Sequence, residues 1–336
     1  MAANLADDTG LLVTVCIVSV TGFFFLCFVV LSVACSLYPN VCHKRKSLGK
    51  FRGRVCSFRG GGGEALEGSL SAFKHSSSLG ADFFFTVRRT RDGEIIVYPD
   101  ETLKRCCGTP WKITDSLYRV LPWLRPPFFL RYQKGFASRG RPEPIPTLSE
   151  IFERFPKSAV FINVKCDDVD HALIDGIAKL VVKHKRETTT AWGSHNTKLI
   201  NALYNKNPFI PLWVNRHRRY LFLVLFYLGL LPFTPIRETV FLTPMPLLML
   251  DPQRGFQVGY LRGWKTWIID KLMMSSGLFK HLKARGIPTY VYCLNEPHEF
   301  DRAFQLGATG VITDFPSRLK DHLDRLDAEK KDREME

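Results

Sequence analysis

The sequence predicts an α/β fold, a closed barrel of eight parallel strands behind one N-terminal transmembrane helix. Three observations predict it. Short β-rich runs alternate with helical stretches through most of the chain, as in a parallel α/β fold. Eight such runs can be counted. The chain of 336 residues also holds the ~250 that an eight-stranded α/β barrel needs in one piece, and 46% apolar residues supply its core.

Residues 1–10 form a short tail and residues 11–38 the anchor. No charged residue occurs from Leu11 to Leu37, a run longer than the ~20 needed to span a bilayer. A cleaved secretory signal would open on basic residues and carry a core of only ~7–15; here the opening is acidic, with Asp7 and Asp8. The basic side chains come afterwards, in a linker over 39–53: His43, Lys44, Arg45 and Lys46, then Lys50 and Arg52, with Arg54 just beyond. The positive-inside rule puts that side in the cytosol. The expectation is a single-pass protein with a cytosolic barrel, in the endoplasmic reticulum or a related endomembrane. Nine cysteines without zinc spacing or a disulfide framework fit a reducing compartment. Cys42 reads as an inert juxtamembrane thiol or a palmitoylation site.

The barrel is expected over 54–322, with a charged tail over 323–336. Its candidate strands are 54–58, 82–87, 95–98, 160–164, 188–192, 211–214, 289–294 and 310–313. Helices are expected over 69–78, 147–155, 171–183 and 196–205. Thr147 followed by Glu150 has the spacing of a capping box before an apolar run.

Two stretches break the alternation. Residues 101–145 make a long connection with Trp111, Trp123, Phe128, Phe129 and Tyr132, and a loop of that length is usually functional or disordered. The second stretch, Tyr220–Phe233, follows Arg216, His217, Arg218 and Arg219. It is too short to span, since a crossing takes at least ~17 residues. Residues 220–236 are therefore expected to dip into the leaflet with the arginines at the headgroups; an ordinary buried barrel helix is the alternative.

The formal charge of +15 admits nucleic acid, an anionic membrane or a phosphate-bearing ligand. No nucleic-acid module pattern occurs, so nucleic acid is set aside. The phospholipid bilayer and a phosphate-bearing lipid remain as partners.

An ordered set of short motifs resembles the glycerophosphodiester phosphodiesterase family. Phe58-Arg59-Gly60-Gly61 with Glu67 is similar to the family's His-Arg-Gly-Gly and following Glu. Gly80-Ala81-Asp82, Thr90-Arg91-Asp92-Gly93 and Tyr98-Pro99-Asp100-Glu101-Thr102-Leu103-Lys104-Arg105 follow in order, then Pro146-Thr147-Leu148 and Asn163-Val164-Lys165. The last is Thr313-Asp314-Phe315-Pro316. The chain is more similar still to the membrane-anchored lysophospholipase D branch, through Gly229–Ile236 and Leu294-Asn295-Glu296. The resemblance implies a TIM-type (β/α)8 barrel that takes a lysophospholipid or glycerophosphodiester and yields a phosphomonoester plus the head-group alcohol.

That chemistry needs a divalent cation, magnesium or calcium, held by carboxylates to neutralise the phosphodiester. It needs two histidines as general acid and base, and basic groups to hold the phosphate. By the resemblance, the histidine positions are Phe58 and Pro99, neither able to carry a proton. Glu67 remains as a metal ligand, Asn163 stands at a weakened ligand position, and the strand-two acids fall within Phe84-Phe85-Thr86. Arg59 and Lys165 survive as phosphate ligands. Asp100, Glu64 and Trp192 are possible supporting residues, each with a structural reading: a turn, a solvated loop and aromatic packing. His298 and His75 are the candidate stand-ins for the missing histidines. Glycines 60–63 serve at least the turn after the first strand.

The expected function is a membrane-associated member of this family that binds lysophospholipid or glycerophosphodiester and cleaves it weakly or not at all. An active metal-dependent lysophospholipase D is the alternative, and a protein-docking scaffold the third reading.

Overall fold

The computed structural model describes residues 2–46, 51, 53–166, 168–249, 251, 254 and 263–335. Lys50 and Arg52 of the basic linker lie outside them. Helix α1 (Ala2–Leu37) leads to β1 (Val55–Phe58), α2 (Leu70–Ser78), β2 (Asp82–Arg89) and β3 (Ile95–Val97). The long connection holds α3 (Lys104–Cys107) and the pair β4 (Phe128–Phe129) and β5 (Ala137–Ser138). Then come α4 (Leu148–Arg154), β6 (Val160–Val164), α5 (His171–Lys183), β7 (Thr190–Gly193), α6 (Thr197–Lys206) and α7 (Arg216–Tyr227). The remainder is β8 (Phe241–Pro244), α8 (Trp264–Met273), α9 (Ser276–Ala284), β9 (Thr289–Tyr292), α10 (Pro297–Gln305), β10 (Gly310–Thr313) and α11 (Pro316–Met335).

Seven strands form a parallel sheet in the order β7-β6-β2-β1-β10-β9-β8. Leu212 bridges Trp192 and Trp213 bridges Val240, both in parallel, so 211–214 joins the two ends as the eighth stave. Eight is the expected number, with one exchange of membership. Ile95–Val97 is not a stave; it folds back antiparallel on the end of β2, with Val97 opposite Val87. Its place is taken by Phe241–Pro244, which the sequence hides because a strand that ends on proline reads as a loop.

Caps start the helices where the side chains call for them. Ser69 Oγ accepts from Ala72 N at 3.2 Å, and Thr147 and Glu150 form the expected capping box. Such caps contribute ~1 kcal/mol each. The two-residue period of the strands then sorts side chains between inside and outside. Phe161 and Asn163 face into the barrel, while Val160, Ile162 and Val164 pack outward on the helices. Inside, Cys56, Phe58, Phe161, Trp213, Tyr290 and Ile312 fill the bore, and Phe51 stoppers its base with its ring 5.1 Å from that of Phe161.

In α1, Val13–Leu37 is long and apolar enough to cross a membrane. The helix already runs from Ala2, through residues 2–10. The charged tail likewise belongs to α11, helical to Met335. Near its end α1 touches the barrel: Ser32 Oγ donates to Gly229 O at 2.7 Å, and the Phe28 and Phe233 rings lie 6.4 Å apart. The 220–236 segment has two faces. Phe222, Leu223 and Leu231 are buried, whereas Tyr220, Leu221, Val224, Tyr227 and Leu228 are exposed.

Candidate functional site

Parallel strands end together at one mouth, and the loops that leave them there carry the site. At the end of β1, Arg59 adopts a left-handed backbone with φ 54°, a conformation costing a non-glycine residue about 1–2 kcal/mol. Its amide donates to Phe84 O at 2.7 Å. The turn folds the guanidinium back over the Phe58 ring, 4.6 Å from its centre. The glycines do more than turn the chain. A Cβ on Gly61 would lie 2.7 Å from Pro316, and one on Gly63 would lie 2.4 Å from the Phe315 ring, so the loop presses directly on the start of α11.

Glu67 lies at the centre of a guanidinium clamp. Its Oε1 accepts from Arg59 Nη1 at 2.7 Å and from Arg105 Nη2 at 2.7 Å. Its Oε2 accepts from Arg105 Nη1 at 3.1 Å. Arg105 Nε also donates to Asp100 Oδ2 at 2.6 Å, and Arg131 reaches Asp100 Oδ1 at 3.3 Å. Burial works against the Glu67 charge, but the Arg59 and Arg105 guanidiniums overcome it and hold the carboxyl at about 2. Sequence reasoning missed Arg105, although it stands in the quoted motif; an arginine in a basic stretch looks like surface until Glu67 is placed beside it.

The positions where the resemblance expects histidines are apolar. Phe58 stacks on Phe84 with ring centres 5.5 Å apart and planes 17° apart, and Tyr132 of the long connection packs on Phe58 at 5.5 Å. The structure also settles which strand-two residues face inward: Phe84 and Thr86 do, while Phe85 packs outward on Phe73. Asn163 Nδ2 donates to Thr86 Oγ1 at 3.2 Å. Next on the inward face, Lys165 makes no ion pair among the described residues. Burial first, then the Arg59, Arg131 and Arg88 charges, bring its ammonium down to about 8.

A divalent cation does not fit these residues. Both Glu67 oxygens already accept from guanidiniums, and Asn163 leaves one buried, unpartnered amide oxygen as a neutral acceptor. No group of three or more His, Cys, Asp or Glu placed to hold a metal occurs among the described residues.

The long connection is an ordered cover, not a disordered loop. Gln133 Oε1 accepts from Asn295 Nδ2 at 3.1 Å and from Arg254, which also pairs with Glu299. Asn295 in turn accepts from Thr313 Oγ1 and Asp314 N, both at 3.1 Å. Asp314 keeps one buried carboxylate oxygen without a partner. Burial, then the Glu67 charge, push its carboxyl up to about 7. A raised carboxyl destabilises the fold increasingly as pH rises from its ordinary 3.8 through 7. Asp314→Asn is therefore expected to raise the denaturation midpoint at pH 8, with the gain shrinking toward pH 4; an equal effect at both pH values would contradict this.

Several expected residues lie elsewhere. Trp192 packs in the outer core between strands and helices, fully buried, not at the mouth. The inward tryptophan is Trp213, whose Nε1 donates to Ile162 O at 3.0 Å. Glu64 caps α11 through the amides of Ser317 and Arg318, and His75 is tied to it at 3.0 Å. His298 is exposed in the first turn of α10. His195, two residues past β7, was missed; the strand-end position was the available signal. Its ring lies 5.4 Å from Trp213. Protein atoms strip water from the ring although the residue is open at the rim, and with Arg219, Lys165 and Arg216 they lower its pKa, leaving it neutral.

Comparison with known proteins agrees with this architecture. The chain is 39% identical over 292 residues to mouse lysophospholipase D GDPD1, covering 87% of this chain and 92% of that protein. It is 31% identical over 298 residues to human lysophospholipase D GDPD3, covering 88% and 93%. An Oleispira antarctica phosphodiesterase, solved with the product sn-glycerol-3-phosphate, superposes with a TM-score of 0.57 at 15% identity, over 83% of this chain and 100% of that one. A sequence model of the Glycerophosphoryl diester phosphodiesterase family matches residues 59–223 and 239–318, and the chain belongs to that family.

Proposed function

We propose that this protein is a membrane-associated family member that binds a lysophospholipid or glycerophosphodiester at its barrel mouth and cleaves it weakly or not at all. The observation that carries the reading is the clamp on Glu67 beside the Phe58–Phe84 stack. Arginine occupies the carboxylate that a cation would need, and aromatic rings stand where a proton would be exchanged. Arg59, Arg105, Arg131 and Lys165 outnumber Glu67 and Asp100, so the mouth attracts an anion. Lys165 is the ammonium open to a phosphate oxygen. With Phe58 and Pro99 at the positions where the resemblance expects proton-transfer histidines, binding is the step these residues support.

Binding can be tested on the full chain in detergent, with sn-glycerol-3-phosphate as the probe. A charged hydrogen bond contributes about 1.5–3 kcal/mol, so Lys165→Ala is expected to weaken binding about 10- to 100-fold. Affinity is also expected to fall as pH rises past about 8, where Lys165 loses its proton. An unchanged affinity in the variant would overturn the assignment.

The contacts of α1 support a membrane placement. At 1.5 Å per residue, Ser32 and Phe28 lie about 7 and 13 Å inside the end of the apolar run at Leu37. Whatever touches them lies at the same depth, so the Gly229–Phe233 turn enters the bilayer if α1 crosses it. The exposed face of α7 (Tyr220, Leu221, Val224, Tyr227) continues onto Trp264, Trp267, Ile268 and Leu272 of α8, with Tyr227 Oη donating to Leu272 O at 3.0 Å. Aromatic residues with lysines at their edges suit the headgroup level; here Lys271 lies 5.7 Å from the Trp267 ring. The stripe begins beside Arg219, which reaches Tyr292 Oη near the mouth at 3.3 Å. The basic residues after α1 favour a cytosolic barrel on an endomembrane.

The second reading, an active metal-dependent lysophospholipase D, is favoured by the names of the relatives at 31–39% identity and by the general metal dependence of the family. It requires turnover that rises with added magnesium or calcium.

A further inference from the structure

We propose that the groove where α1 meets the barrel base binds the phosphate-bearing headgroup of an anionic phospholipid, at a site separate from the mouth. The groove has a volume of about 640 Å³. Leu37, Tyr38, Val41 and Arg45 line it from the end of α1 and the turn that follows; Lys280 and Lys283 line it from α9. It is built, not incidental. Val41 N donates to Tyr38 O at 3.1 Å and His43 N to Pro39 O at 3.3 Å. Lys46 then pins the segment, its amide donating to Arg285 O at 3.0 Å and its ammonium to Glu238 O at 2.8 Å.

Three cations converge here, and none of the three has an ion pair among the described residues. Lys280 and Lys283, three residues apart on a helix, share one face. The C-termini of α1 and α9 also point at the groove, each bringing about −0.5 charge. Three cations against about one negative charge leave about +2, an excess that favours an anionic headgroup. Tyr38 and Val41 are 69% and 79% exposed, an apolar wall beside the charges that fits the glycerol and first methylenes of a lipid. A free phosphate would use the cations and leave that wall bare.

Position supplies the second argument. If α1 crosses the bilayer, as proposed above, its apolar run stops at Leu37 and the groove lies at headgroup level. It also lies at the end of the barrel where strands begin, since Arg285 and Gly286 precede β9. The mouth, with Phe58 and Lys165, is at the other end.

The test uses the full chain in phosphatidylcholine nanodiscs, with or without a minor fraction of phosphatidylserine, and maps lysine acylation by mass spectrometry. Lys280 and Lys283 are expected to acylate about 5-fold more slowly with phosphatidylserine, and the exposed Lys179 of α5, outside both the groove and the apolar stripe, much less so. A cation near an anionic surface is worth about 5-fold in affinity. Arg45→Ala is thus expected to raise the phosphatidylserine needed for half-protection about 5-fold, and Lys280→Ala to do the same, read at Lys283. Equal acylation in both kinds of disc would overturn the groove, as would the same protection by inorganic phosphate over phosphatidylcholine alone. Failure of the chain to enter discs would overturn the crossing by α1, and the lipid site with it.

Discussion

Choline release from lysophosphatidylcholine by the full chain, with magnesium or calcium supplied, is expected to run about 10⁴-fold or more below that of the mouse relative. A single proton-transfer group is typically worth about 10²–10⁴-fold, and the resemblance sets both positions for one at apolar residues, Phe58 and Pro99. Losses within one catalytic unit do not simply multiply, so the larger end of one group's effect is the defensible estimate. Restoring the histidines alone, in Phe58→His/Pro99→His, is expected to recover nothing. Glu67 stays clamped by Arg59 and Arg105, and Phe84, Thr86 and Asn163 still line the inward face where carboxylates would be required. A gain is expected only when Phe84→Glu, Thr86→Asp and Asn163→Glu supply carboxylates and Arg105→Ala releases Glu67 from that guanidinium. Choline release rising with metal in the unaltered chain would sink the weak-cleavage reading and assign the chemistry to residues such as His195.

Glu67→Gln is expected to cost about 3–5 kcal/mol of stability, the usual result of removing one partner from a buried ion pair. Arg59 and Glu67 are both nearly inaccessible, and the change would leave two guanidiniums facing each other across a neutral amide. The pH dependence has a definite sign. The Glu67 carboxyl is depressed from its ordinary 4.5 to about 2, so its contribution is present above pH 4.5 and is lost as pH falls through 2. At 1.36 kcal/mol per pKa unit that contribution is about 3 kcal/mol, in line with the mutational figure. Denaturant titrations of the detergent-solubilised chain at pH 7 and pH 3 measure both. A variant as stable as the parent at pH 7 would mean that the clamp is fortuitous.

The barrel was legible because each of its signals is local. Alternation with helices marked seven of the eight staves, and Thr147 with Glu150 marked a helix start that formed as expected. Ile95–Val97 misled because a hairpin strand and a stave share the same β-branched composition, and only pairing direction separates them. At the site, motif order set Phe58 and Pro99 at the expected histidine positions, but what surrounds them could not be read from it. That Phe58 and Phe84 stack, and that Arg105 reaches Glu67 across 38 residues of sequence, depends on which side chains the barrel turns inward. Trp192 and Trp213 make the same point. Each stands one residue before the end of its strand, yet one faces the helices and the other the bore, and the pleat, not the strand boundary, decides which.

Arginine keeps its proton throughout the physiological range, so the polarity around Glu67 is written into the covalent chain and owes nothing to the local supply of ions. Below the pH at which Lys165 loses its proton, a mouth built this way would fill and empty with lipid concentration, deaf to chelators and to calcium transients. Its capacity would be one lipid per chain. Copy number would then set its effect on a membrane, as in a reservoir, where a catalyst would be judged by its rate.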